Sequence, residues 1–258
     1  MKKAIIVASF GCSIEEVRDK NIKPIEDAVK KEYREADVFR VFTSNMIRKK
    51  LDNEYSLHIM DMKECLEKLE QEGYREVFVL PTHIIPGVEY EKITRAVSKY
   101  EDRFESIKVA RPFLDDRTGE EEVEVMLSFL SDRRKEEGTA VVLMGHGSNH
   151  KAHAYYAQFE KLLKEKGEDH YLINVEWADF VEDIYEVLKQ KAYSHIDLYP
   201  LMIVAGDHAI NDMASDEEDS IKTKLKSQGF RVDAHLKGLG GEEQYHKLCL
   251  NRLAEIMN

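Results

Sequence analysis

The feature that most constrains this chain is an alternation. Short runs rich in aliphatic and β-branched residues fall near 3–9, 36–42, 75–81, 106–110, 139–145, 170–176, 195–200 and 230–236. Between them lie segments whose apolar residues recur at spacings of three and four, such as Met62, Cys65, Leu66 and Leu69, closed by Gly73. The first pattern predicts strands and the second amphipathic helices. Ser13, with Glu16 three residues on, reads as a capping box opening the first helix. Strands that alternate with helices need crossover connections, so parallel sheets covered on both faces are expected.

A repeat divides the pattern in two. Residues 4–13 align with 140–149, and 77–81 with 84–87 align with 196–200 and 203–206. This register sets Phe10 opposite His146 and Glu89 opposite His208. The expected fold is therefore α/β with two similar lobes, 1–136 and 137–258, each a four-stranded parallel sheet flanked by helices. The boundary falls in the polar stretch 132–138. Open parallel sheets bind ligands at the carboxyl ends of their strands, so the active site is expected in a cleft between the lobes.

Composition removes several classes of function. A net charge of −12 argues against nucleic acid, whose phosphates need clustered Lys and Arg. No run approaches the roughly 18 apolar residues of a membrane helix, and residues 1–8 do not read as a signal peptide. A cytoplasmic protein is expected. Cys12, Cys65 and Cys249 form no CxxC pair, so neither a disulfide framework nor a thiolate zinc site is indicated. Cys65 and Cys249 sit on apolar helix faces and read as packing residues. No GxxxxGK[ST] loop occurs, which disfavours ATP-driven chemistry.

Three residues stand where this fold places chemistry. His146 follows a strand and is flanked by Gly145 and Gly147, Glu176 closes another strand, and His208 lies beyond the strand ending near Pro200. Two imidazoles and a carboxylate can hold a borderline divalent ion with positions left open. A histidine beside glycines is also a common loop residue, and the residues alone leave both readings open. His150 and His153 suit a metal pair or a solvated helix face equally. His58, His170, His195 and His235 have no supporting context.

At these residues the sequence resembles the anaerobic sirohydrochlorin cobaltochelatases, single-chain ATP-independent enzymes related in fold to ferrochelatase. The resemblance covers nearly the whole chain. It is most specific over 200–216, with further matches at Ser9-Phe10-Gly11 and Ser13, Phe42-Thr43-Ser44, His83-Ile84-Ile85, 89–93, 144–147 and 238–240. It implies Co²⁺ insertion into sirohydrochlorin in cobalamin biosynthesis, with no organic cofactor. Metal ligation is implied for His146, Glu176 and His208. Tetrapyrrole contacts are implied for Phe10, Gly11, Cys12, Ser13, His83, Ile84, Gly87, Tyr90, Gly145 and Gly147. Cys12, where the family has threonine, and Pro86 and Val88 depart from the pattern.

Insertion must strip water from the ion and remove two pyrrole protons. His146 is the first candidate acceptor and Glu89 the second. Arg48, Lys49, Lys50, Lys92 and Arg95 are candidates for the substrate carboxylates. The acidic run 216–219 reads as the first turn of a helix. Rival readings are a ferrochelatase or nickel chelatase (the same site tolerates Fe²⁺, Ni²⁺ or Zn²⁺), a non-catalytic tetrapyrrole or metal binder, and a metal-dependent hydrolase.

Overall fold

The computed structural model describes residues 2–131, 136–166 and 169–258, so part of the expected boundary stretch, 132–135, lies outside the described residues. Eight strands form: β1 (Lys3–Ser9), β2 (Ala36–Phe42), β3 (Glu76–Pro81), β4 (Ser106–Val109), β5 (Thr139–Gly145), β6 (His170–Asn174), β7 (His195–Pro200) and β8 (Arg231–Ala234). They make two four-stranded parallel sheets, ordered β2-β1-β3-β4 and β6-β5-β7-β8. The two orders are the same topology written twice, as the repeat predicts.

The helices are α1 (Glu15–Asn21), α2 (Lys23–Glu32), α3 (Asn45–Tyr55), α4 (Met62–Gln71), α5 (Val88–Val97), α6 (Glu120–Phe129), α7 (Ala154–Glu165), α8 (Tyr185–Gln190), α9 (Ile221–Ser227) and α10 (Glu243–Met257). The central strands bury both faces: every residue of β1 from Ala4 to Ser9 and of β5 from Ala140 to Gly145 is buried. One face of the first sheet packs Ile6, Val79 and Val41 on Leu66, Leu69 and Ile93. The equivalent face of the second packs Val142, Ile173 and Leu198 on Leu188 and Leu225. No helix among the described residues is long and apolar enough to cross a membrane.

The chain divides into two compact units, but not at a single point near 136. One unit is Met1–Asp115 with Gly240–Asn258, and the other is Asp116–Leu239. The sequence repeat hides this arrangement because α10 belongs to the first unit. It packs on α2 and β3 through a face that buries Tyr245, Leu248, Cys249 and Leu253, and Tyr33 donates from its hydroxyl to the Leu250 carbonyl.

Two local readings are corrected. Ser13 caps nothing: α1 starts at Glu15, its cap position is Ile14, and no side chain caps it. The capping box occurs instead at α4, where Asp61 and Glu64 exchange side-chain and backbone bonds. The acidic run 216–219 lies in the turn before α9 rather than in its first turn. Ser220 caps that helix by accepting from Thr223 N–H, and Asp216 pairs with Lys222.

Candidate metal centre

The carboxyl ends of β5, β6 and β7 each deliver one donor. His146 is the residue after β5. Glu176 follows β6, whose hydrogen bonding to the β5 end continues past Asn174 through Val175 N–H to Gly145 O and Glu176 N–H to His146 O, both at 3.0 Å. His208 stands at the head of a π-helical turn, Ala209–Met213, a local geometry common at functional sites. Their donor atoms all lie within 4.8 Å of one another, and none of the three residues is buried. The two imidazole rings meet edge to face with centroids 4.8 Å apart.

Hydrogen bonding fixes the tautomer of both rings. His146 Nδ1 is 3.0 Å from the Gly147 carbonyl oxygen, and His208 Nδ1 is 2.6 Å from Asp212 Oδ2. Both partners only accept, so each Nδ1 carries the proton and each Nε2 keeps its lone pair. That is the arrangement by which second partners orient ligating histidines and raise their basicity.

Two glycines permit the close approach. A Cβ on Gly147, whose φ is +84°, would stand 2.0 Å from the Glu176 carbonyl oxygen. One on Gly145 would stand 2.5 Å from Asn174 Oδ1 and 2.9 Å from the Tyr156 ring. Side chains at these positions would therefore drive apart the loops that carry His146 and Glu176.

Sequence reasoning missed the residues that hold these loops. Buried Tyr156 receives the backbone N–H groups of His146 and Gly147 on its hydroxyl, while desolvation, the larger effect, pushes its pKa up. His153 accepts from Ser148 N–H at Nδ1, so its Nε2–H donates to Asp179 Oδ2 at 2.9 Å. It ties the His146 loop to the Glu176 loop and is neither free ligand nor idle helix face. His150 is used locally, accepting from Ala152 N–H. Asp212 was legible in principle, since an acid four residues after a histidine shares its helical face.

The other expected site residues sit in the first unit. Phe10, Gly11, Cys12 and Ser13 follow β1; Phe10 is 45 % exposed and Cys12 is buried. His83, Ile84 and Gly87 lie between β3 and α5, and Glu89 and Tyr90 occupy the first turn of α5. His83 is buried with Nε2 3.4 Å from Thr43 Oγ1. Burial holds its pKa down at about 4, against a smaller opposing pull from Glu89, so it is neutral at neutral pH. One carboxylate oxygen of Glu89 pairs with Lys92, and the other, Oε2, is buried without a hydrogen-bond partner among the described residues. Arg48 pairs with Asp61 and Glu64 and Arg95 with Glu91, whereas Lys49 and Lys50 are exposed.

Two α/β units share one topology, and the second brings two imidazoles and a carboxylate together at its strand ends, a donor set able to hold a divalent ion in the chelatase-like fold. Residues 3–258 match the cobalt chelatase (CbiK) family. The chain belongs to that family and is a metal chelatase. It is 34% identical over 258 residues to a sirohydrochlorin cobaltochelatase of Salmonella typhimurium, covering 100% of this chain and 97% of that one. It is 28% identical over 259 residues to sirohydrochlorin cobaltochelatase CbiKC of Nitratidesulfovibrio vulgaris, covering 100% and 91%. Among solved structures it resembles SirB from Bacillus subtilis with Fe³⁺, with a TM-score of 0.68, 17% identity and coverage of 99% and 96%. At that identity the likeness speaks for the fold alone.

Proposed function

We propose that this chelatase inserts Co²⁺ into sirohydrochlorin in cobalamin biosynthesis, without ATP or an organic cofactor, using His146, Glu176 and His208 to hold the incoming ion. The observation that carries the site is the convergence of three donor atoms within 4.8 Å, with both Nδ1 atoms already committed to acceptors. The substrate follows from the two full-length relatives, each named a sirohydrochlorin cobaltochelatase.

Insertion exchanges one Co²⁺ for two pyrrole protons. The trio replaces part of the hydration shell with donors already in place, which avoids reorganisation during transfer. It is an incomplete shell for a six-coordinate ion, so positions remain for water and then for ring nitrogens. Each Nε2 is occupied while it ligates. His146 therefore accepts a proton only after the ion has moved to the ring. Glu89, with its free buried Oε2, is the second acceptor. Phe10, Gly11, Cys12, Ser13, His83, Ile84, Gly87, Tyr90, Gly145 and Gly147 are assigned to the macrocycle. Three cysteines outside any disulfide suit a reducing cytoplasm.

The test is to mix purified protein with sirohydrochlorin and Co²⁺ in the absence of ATP and follow the ring absorbance. Acceleration over the protein-free control is expected. Ring binding without acceleration would overturn the reading in favour of a carrier. Repeating the assay with Fe²⁺ and Ni²⁺ sets the metal preference, which the donor types do not decide.

A further inference from the structure

A second group of metal-binding side chains lies in the same unit, on β7 and β8. In the parallel register Asp197 is level with Asp233 and His195 with Arg231. Side chains two apart on a strand share a face, so His195 and Asp197 on β7 and Asp233 and His235 on the β8 side converge. His195 and Asp197 are 2 % and 0 % exposed, while Asp233 is exposed and His235 partly so. Donor atoms of His195, Asp197 and Asp233 lie within 4.8 Å of one another. His195 Nε2 is 3.0 Å from Asp233 Oδ2, and His235 Nε2 is 2.9 Å from Asp197 Oδ1.

Two His–Asp hydrogen bonds would explain those pairs, but not the rest. Asp197 Oδ2 is fully buried with no hydrogen-bond partner among the described residues, on an interior strand whose neighbouring residues, Ile196 and Leu198, are core. Among the described residues no Lys or Arg pairs with either carboxylate. The group is also held as a ligand set would be. His195 Nε2–H donates to Asp233 Oδ2 while Nδ1 accepts from Thr139 Oγ1 at 3.3 Å, and the same hydroxyl can turn to accept an Nδ1–H once an ion replaces the Nε2 proton. The His235 ring stacks on Tyr199 at 4.1 Å and 5°. Bonds of about 2.0–2.2 Å to a central ion span ligand separations up to about 4.4 Å, so small side-chain shifts close the shell.

We propose that His195, Asp197 and Asp233, with His235 at the rim, form a second site for a borderline divalent cation such as Zn²⁺ or Co²⁺. The two carboxylates neutralise the ion, the orphaned Asp197 oxygen gains a ligand bond, and the short edge strand β8 is braced to β7. This ion is resident, unlike the one transferred at the strand ends.

The experiment counts metal. Chelator-treated His146→Ala/His208→Ala protein is dialysed against Zn²⁺ and analysed for bound zinc, with thermal unfolding measured in parallel. One Zn²⁺ per chain and a rise in Tm on zinc addition are expected. Adding Asp233→Asn at the exposed ligand, or separately His235→Ala at the rim, is expected to lower Zn²⁺ affinity at least tenfold and remove the thermal shift, with the circular dichroism unchanged. No bound zinc in the His146→Ala/His208→Ala protein would overturn the proposal. So would one zinc retained with unchanged affinity in both added variants.

Discussion

Asp212 is not one of the proposed ligands, yet it decides which imidazole nitrogen of His208 is available. Its carboxylate accepts from Nδ1–H at 2.6 Å. Asp212→Asn lets the ring adopt either tautomer and weakens the donor, so Co²⁺ affinity is expected to fall about 10–100-fold, the usual cost of removing such a partner. Titration calorimetry with Co²⁺ checks this, and an unchanged affinity would separate Asp212 from the site. His83 supplies a pH dependence. Its folded pKa of about 4 lies below the 6.5 of a free imidazole, so the unfolded chain binds the extra proton between these values. Stability from its burial is complete above about pH 6.5 and is lost as pH falls toward 4, by roughly 3 kcal/mol. Denaturant unfolding at pH 7 and pH 4.5 should show a smaller acid loss in His83→Gln than in the unchanged protein.

At the level of elements, the site depends on three loops being brought close together. Gly147→Ala places a methyl group where the Glu176 carbonyl oxygen stands, at 2.0 Å, in a backbone conformation that costs L residues about 1–2 kcal/mol. Loss of Co²⁺ binding is expected while the sheet signal in circular dichroism persists; intact binding would show that the two loops need not approach so closely. Tyr156→Phe removes the hydroxyl that accepts from the His146 and Gly147 backbone N–H groups, a loss of about 1–3 kcal/mol, measurable as a lowered Tm. Much of this scale was legible beforehand. All eight strands were: the central β1 and β5 are continuous buried runs, and the partly exposed edge strands β2, β4 and β8 still interleave apolar with polar residues. The capping box expected at Ser13 was not, because α1 starts one residue later than the motif requires, at Glu15 after Ile14, and Arg18 turns back to the Cys12 carbonyl. Nor were the aspartate partners of His153, His195 and His235, whose pairings at 26 and 38 residues' separation arise only from the fold.

Across the whole molecule, the internal repeat matches the two four-stranded parallel sheets, whereas the compact units are drawn differently from the expected lobes 1–136 and 137–258. The repeat accounts for eight strands, while α10 follows the last of them and returns to the first unit. The helix completes that unit's core with Tyr245, Leu248, Cys249 and Leu253, each no more than 3 % exposed. At about 1.5–3 kcal/mol for each large apolar side chain, their exposure approaches the roughly 5–15 kcal/mol of a whole domain. Truncation before Glu243 should leave the first unit open to limited proteolysis, with cleavage sites concentrated in 2–115. A protease-resistant truncated protein would contradict the assignment of α10 to that core.

The role proposed for His146, Glu176 and His208 is to carry Co²⁺ together into the ring. It is tested most directly by the ATP-free rate of Co²⁺ insertion into sirohydrochlorin for the unchanged protein beside His146→Ala, Glu176→Gln and His208→Ala, with folding verified by circular dichroism. Each histidine variant is expected to lose at least a hundredfold in rate and Glu176→Gln at least tenfold. A folded His146→Ala or His208→Ala protein that inserts Co²⁺ at the full rate would contradict that role.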